Sequence, residues 1–307
     1  MRGWLQRLQR GRLPPVPLRA EGEGFALPGE AFASGEAFMA LRDGAAHERL
    51  KAQWQMREQL VAACAEGGLT AVCPLCRVAS AFGTPGNAES FDPREGLACQ
   101  RCRVSARVRH ALNLVVDGLD PATARVHLTE QASSGFVWLQ RQFAHASGSE
   151  FGLDDDRRRR LQGWFEHLGG QGALVEQDVT ALRFTNASLD AVGCFDVLEH
   201  VPDYRRALAE FARVLVPGGR LVLTVPFLEC EQATLVRARV AADGSIEHLL
   251  PAEIHGDPVA GGVLCFYHFG WDLLDACRQA GFIRTEWVRC FAPGYALYGL
   301  WTLRAQR

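Results

Sequence analysis

The chain has almost no lysine. Of its 33 basic residues one is Lys51 and the other 32 are arginines. Many Ala and Gly residues accompany this skew, which marks a compositional bias, so an arginine cluster is weak evidence for an anionic partner. The formal net charge is only −2, so no global field draws the chain to nucleic acid or to an anionic membrane. No stretch approaches the roughly 20 consecutive apolar residues of a membrane span. The start, MRGWLQRLQRGRLPP, has no apolar run of signal-peptide length. Trp4, Leu5 and Leu8 would form at most one short amphipathic turn in an otherwise irregular terminus. Internal repeats and low-complexity tracts are absent. A cytoplasmic protein is expected, whose ten cysteines are thiols or metal ligands before they are disulfides.

What is present divides into three regions. The 307 residues, 48% apolar and 22% charged, suit one large soluble domain plus a smaller one. Residues 1–68 read as an irregular Gly- and Pro-rich leader followed by a helix. Leu50, Trp54, Leu60, Val61 and Cys64 fall near helical spacing, and Gly67-Gly68 close that run. Residues 69–110 hold four cysteines in two pairs. From 111 to 307 strand-like and helix-like segments alternate, the pattern of an α/β domain with a mostly parallel sheet.

Within the third region ARVHL (124–128) is expected as a strand and FVWLQRQFAHA (136–146) as a helix. ALVEQ (173–177), DAVGCF (190–195) and RLVLTVPF (220–227) are further expected strands. DYRRALAEFARVLV (203–216) is an amphipathic helix capped by Asp203 and broken by PGG. WDLLDACRQAGF (271–282) is another helix, and IRTEWVRCF and YALYGLWTL are closing strands. The run DDDRRRR (154–160) pairs Asp154, Asp155 and Asp156 with bases four positions on, so it reads as a solvated helix start rather than an anion site.

CPLC (73–76) and CQRC (99–102) are two Cys-x-x-Cys knuckles separated by 22 residues. Two thiolates at that spacing grip one ion, and two such hairpins complete a tetrahedral sulfur shell. Zinc on Cys73, Cys76, Cys99 and Cys102 is therefore expected. Six arginines, three acids and the −2 of a zinc tetrathiolate leave residues 69–110 with a net charge of only about +1. Phe82 and Phe91 are the region's only aromatics, so a folding or substrate-lid role is favoured over RNA binding.

The stretch DVLEHVPDYRRALAEFARVLVPGGRLVLTVPF (196–227) resembles the class I S-adenosylmethionine-dependent methyltransferases of the bacterial small-molecule type, and the likeness extends over roughly 124–307. The resemblance implies a Rossmann-like α/β fold: seven strands, mostly parallel, with an antiparallel last strand inserted near the edge. It also implies S-adenosylmethionine as cofactor. Glu150 would hold the ribose hydroxyls and Asp178 the adenine amino group. Phe195, Asp196, Glu199 and His200 would line the methyl-transfer site. The departure is TEQASSG (129–135), which stands where the family writes a glycine-rich turn. Glu130 is expected to accept from the cofactor's ammonium, with Ser133, Ser134 and Gly135 around its methionine end.

Transfer of a methyl group to an O or N of a small-molecule or sugar-like acceptor is the expected activity. An RNA methyltransferase and a non-catalytic methyltransferase-like module are the alternatives. Residues 228–269 form a long insertion at the ligand edge of such a sheet, expected to act as a lid or binding loop. His255, oriented by Asp257 and helped by His200, is the expected general base, with His268 a weaker candidate.

Overall fold

The computed structural model describes residues 27–64, 69–83, 92–256 and 261–307. Trp4, Leu5, Leu8, Phe91 and Asp257, each given a role above, lie outside the described residues. The chain divides into two units, one built from residues up to Ala31, Phe38–Gly118 and Val288–Trp301, the other from Phe32–Ala37, Leu119–Trp287 and Thr302–Arg307.

In chain order the first elements are β1 (Glu30–Phe32), α1 (Gly35–Asp43), α2 (His47–Cys64), the hairpin strands β2 (Leu69–Cys73) and β3 (Val78–Phe82), α3 (Pro93–Gly96) and α4 (Ala106–Val116). The α/β alternation then begins with β4 (Arg125–Leu128), α5 (Ser134–Gln142), β5 (His145–Gly148), α6 (Asp155–His167), β6 (Leu189–Phe195), α7 (Tyr204–Val214) and β7 (Leu215–Thr224). Six short strands follow in the insertion: β8 (Leu235–Val236), β9 (Ala238–Val240), β10 (Ile246–His248), β11 (Ile254–His255), β12 (Val263–Leu264) and β13 (Tyr267–His268). The chain closes with α8 (Leu273–Gln279), β14 (Arg284–Ala292) and β15 (Leu297–Gln306).

One seven-stranded sheet has the order β1-β14-β15-β7-β6-β4-β5. β4 pairs in parallel with β5 and β6, and β6 with β7, whereas β15 runs antiparallel to β7. The expected Rossmann-like sheet with an inserted antiparallel last strand is therefore present. Its central strands are buried on both faces, as the adjacent pairs Val126 and His127, Ala191 and Val192, and Leu221 and Val222 show, which is why β6 and β7 read as continuous apolar runs.

Three local expectations change. The helix predicted over 136–146 ends at Gln142, because His145–Gly148 pairs with β4 and satisfies its backbone there. ALVEQ contributes only an isolated bridge, Glu176 to Glu150, since Gln131 takes the Ala173 carbonyl and the Val175 N–H with its own side-chain amide. Pro217-Gly218-Gly219 does not break the helix, which has already ended at Val214, but sits inside β7. There the β6 register slips between Leu189 and Ala191, and Gly218 adopts φ +81, the geometry a bulge asks of glycine.

His127 in β4 is wholly buried, its ring nitrogens 3.0 and 3.2 Å from the hydroxyls of Ser147 and Ser149. Burial pushes its pKa down to about 3. The unfolded chain therefore binds a proton below about pH 6.5 that the folded chain refuses. Stability is complete above that pH and falls as pH drops toward 3. We expect this residue to contribute about 2 kcal/mol of lost stability between pH 7 and pH 5. Urea unfolding of His127→Gln at both pH values should show a correspondingly smaller loss; an unchanged loss would refute the assignment.

Candidate active site

Four acids stand at the carboxyl ends of four neighbouring strand segments: Glu130 after β4, Glu150 after β5, Asp178 after the Glu176 bridge and Asp196 after β6. This is the edge where open α/β sheets bind ligands. The turn 129–135 keeps its shape without its missing glycines. Among residues 129–135 none has positive φ, so no left-handed position calls for glycine. Ser133 caps α5 by accepting from the Phe136 N–H, and its hydroxyl donates to the Glu130 carbonyl. The Ala132 N–H donates to Glu150 Oε1 at 2.6 Å, and the Phe195 N–H donates to Glu130 Oε2 at 3.0 Å. Gln131 turns its side chain toward the segment 173–175, over Gly148, where a Cβ would fall 2.9 Å from Gln131. The close-approach glycine has in effect moved to the neighbouring strand, and the turn is laced by side chains instead.

The acids differ in what they do. Glu130 and Glu150 each tie the turn to an adjacent strand end, which positions both carboxylates beside it. Asp178 is exposed, and its Oδ1 accepts from the N–H and hydroxyl of Thr180 in an Asx turn. Asp196 has φ +53, an uncommon conformation outside glycine. It is held there by Thr224, whose carbonyl accepts from the Asp196 N–H and whose hydroxyl donates to Asp196 Oδ1. Strain of this kind directly after a central strand is typical of functional turns.

Beyond Asp196 a 3-10 turn, Leu198–His200, carries Glu199 and His200. Glu199 is wholly buried, and neither carboxylate oxygen has a hydrogen-bond partner among the described residues. The insertion docks on this turn. The Phe266 N–H donates to the Glu199 carbonyl, and Tyr267 hydroxyl to the Pro202 carbonyl. Phe227 and Phe269, at the insertion's two roots, form a parallel bridge. Phe227 also stacks on Trp287 at 3.8 Å.

Docking brings His255 to Glu199, with Nδ1 3.5 Å from its Oε1. At that length the contact is an ion pair more than a directed hydrogen bond. Glu253 Oε1 lies 2.9 Å from Nε2 of both His255 and His268. Glu199 and then Glu253 raise the His255 pKa to about 9 against the opposing effect of burial, so its imidazole holds its proton at neutral pH. His200 donates from Nδ1 to the Leu264 carbonyl at 2.8 Å, which leaves Nε2 as its lone-pair nitrogen when neutral. The residues gathered here thus include the expected His200 and His255. Glu253 and Cys265, which the sequence reading passed over, join them. Their signals were the two-residue spacing Glu253-x-His255 in an extended segment and the Cys265-x-x-His268 pair.

In the other unit the two cysteine knuckles are copies of one turn. The Arg77 N–H donates to the Cys73 carbonyl and the Arg103 N–H to the Cys99 carbonyl, at 2.8 and 2.7 Å, with φ of 57 and 60 at the two arginines. The four sulfurs lie within 4.8 Å of one another. Burial pushes the Cys76 thiol up to about 12, while hydrogen bonds from Cys102 and Cys73 pull Cys99 down. Beside them Arg109 is wholly buried, donating to the carbonyls of Val104 and Ala296, with its guanidinium 4.4 Å over the Phe82 ring.

Residues 114–223 match the methyltransferase domain family. A demethylmenaquinone methyltransferase of Anoxybacillus flavithermus is 28% identical over 169 residues, covering 49% of this chain and 65% of that protein. A ubiquinone biosynthesis O-methyltransferase of Xanthomonas oryzae pv. oryzae is 43% identical over 119 residues, 39% of this chain and 43% of that protein. The chain therefore spans less than two thirds of the length of these relatives. A solved S-adenosylmethionine-bound amino pentose methyltransferase from Micromonospora echinaspora is 18% identical, with a TM-score of 0.44 over 67% of this chain and 94% of that chain. Residues 114–223 thus carry the likeness of a methyltransferase domain, on a Rossmann-like sheet of the strand order described above.

Proposed function

We propose that the chain transfers a methyl group from S-adenosylmethionine to a hydroxyl of a small acceptor, with His200 taking the acceptor's proton. The observation that carries this reading is the juxtaposition of the laced turn 129–135 with Glu199, His200 and His255 beyond the next strand. When bound, the cofactor supplies an electrophilic methyl on its sulfonium. The chain's task is to hold an acceptor oxygen in line and relieve it of its proton. His200 suits that task because its donor nitrogen is committed to Leu264. His255 already carries a proton and instead offsets the buried charge of Glu199. This shifts the general-base role from His255 to its neighbour.

Glu130, Glu150, Ser133, Ser134 and Gly135 would hold the cofactor, with Asp178, Phe195 and Asp196 near its adenine and methyl ends. The turn needs no glycine for its backbone, since no residue of 129–135 has positive φ, which supports binding over a degenerate site. Replacing Glu130 with Ala should weaken S-adenosylhomocysteine binding by about 1–3 kcal/mol, read by calorimetric titration. Wild-type protein that gives no heat at millimolar ligand would defeat the whole reading.

We further propose that Cys73, Cys76, Cys99 and Cys102 hold one zinc ion. Buried Arg109 would offset the −2 of that tetrathiolate. The donor set fits a structural rather than a catalytic site, since four sulfurs leave no open position. An RNA-binding role for this module is disfavoured because Phe82 is buried beneath Arg109 and cannot stack on a base.

A further inference from the structure

We propose that the insertion carries a second metal site, in which Glu253, His255, Cys265 and His268 coordinate one zinc ion and Glu199 anchors His255 from behind. The ligand atoms of these four residues all lie within 4.8 Å of one another. They come from two chain segments that the fold ties together. Ile254 and His255 pair with Leu264 and Val263, and the Cys265 N–H donates to the Glu253 carbonyl at 2.8 Å. Glu253 and His255 are two apart in extended chain, so their side chains project to one side. One carboxylate, two imidazoles and one thiolate make a four-donor set that suits a borderline-soft ion of tetrahedral preference.

Glu199 points independently to a cation. It is a wholly buried carboxylate without a hydrogen-bond partner among the described residues, a costly arrangement unless positive charge stands nearby. A zinc-bound imidazole commonly donates its second N–H to a carboxylate. His255 is placed for this, with Nε2 toward Glu253 and Nδ1 toward Glu199. The charges also close. Zinc and Arg237, whose guanidinium lies 3.1 Å from Glu253 Oε2, together offset Glu199, Glu253 and a Cys265 thiolate.

The insertion has reason to need such a staple. Leu235, Val236, Val240, Ile246, Leu249, Ile254 and Val263 are all exposed. Its six strands are two or three residues long. A segment of this size with little core of its own is commonly held by a metal or disulfides. The residue set is separate from the four-cysteine knuckles, and the inference does not depend on His200 being the base.

Zinc-edge X-ray absorption on the purified wild-type chain tests this without any substitution. The expected first shell mixes sulfur with nitrogen and oxygen. Elemental analysis of His268→Ala and Cys265→Ser should each show one equivalent less than wild type, while Cys102→Ser removes a different, sulfur-only fraction. A sulfur-only shell, a wild type without zinc, or a His268→Ala protein with undiminished zinc would overturn the site. Absence of the sulfur-only fraction from wild type would count against the knuckles alone and leave this proposal standing.

Discussion

Replacing His200 with Ala should lower turnover about 10²–10⁴-fold, equivalent to roughly 3–5.5 kcal/mol of transition-state stabilisation. The affinity for S-adenosylhomocysteine should stay within about a factor of two, because the cofactor candidates lie on the turns after β4, β5 and β6 and not on the 3-10 turn. The size follows from the tautomer. With Nδ1 donating to Leu264, Nε2 is the nitrogen available to an acceptor hydroxyl, and its loss leaves water to do that work. The same contact also helps seat the insertion, so the alanine variant alone would mix two effects. His200→Asn retains a short donor for the Leu264 carbonyl and should recover thermal stability without recovering turnover. The acceptor for these assays comes from a radiolabelled-methyl screen of small phenolic and sugar hydroxyls. A His200→Ala enzyme with full kcat on that acceptor would remove the base from this position.

Cys99→Ser should release the knuckle zinc and unfold the hairpin around it. Cys73 and Cys99 are buried, and the four sulfurs converge between the two turns. Structural zinc stabilises such modules by about 10 kcal/mol or more, because the site does not exist in the unfolded chain. Losing one of four thiolates also leaves Arg109 buried beside less negative charge. Its guanidinium is already disfavoured by desolvation and supported in part by the cysteines. The expected readouts are zinc reduced by one equivalent and rapid proteolysis within residues 69–110. Equal zinc in wild type and variant would show that the four sulfurs are not the ligands. Removal of metal by chelator from wild-type protein should reproduce the variant's proteolysis pattern.

Much of this architecture is legible in the amino-acid sequence. The parallel strands announce themselves because burial on both faces demands uninterrupted apolar runs, and DAVGCF and RLVLTV supply them. Asp203 caps its helix as expected, accepting from the Arg206 N–H, and Asp154, expected only as an ion-pair partner at a helix start, caps the helix there by accepting from the Arg157 N–H. The paired Cys-x-x-Cys knuckles needed only their spacing. In each of these the deciding interaction spans a few residues or repeats with the period of one element, so the chain itself carries the information.

What the tertiary structure decided lies wherever partners are far apart in sequence. No local pattern says that Gln131 will bind the backbone 42 and 44 residues away, or that a glycine missing from the turn reappears as Gly148 on the next strand. The third strand shrank to a single bridge because that side chain took its hydrogen bonds. Likewise His255 reads in the sequence as a free imidazole in a polar loop, suited to accept a proton. Folding sets it between Glu199 and Glu253, 56 and 2 positions away in sequence, and two carboxylates near one imidazole stabilise its charged form. Local sequence determined most of the elements and singled out candidate residues. Long-range packing alone determined the protonation and partners of those residues, because electrostatic environment is a property of proximity in space.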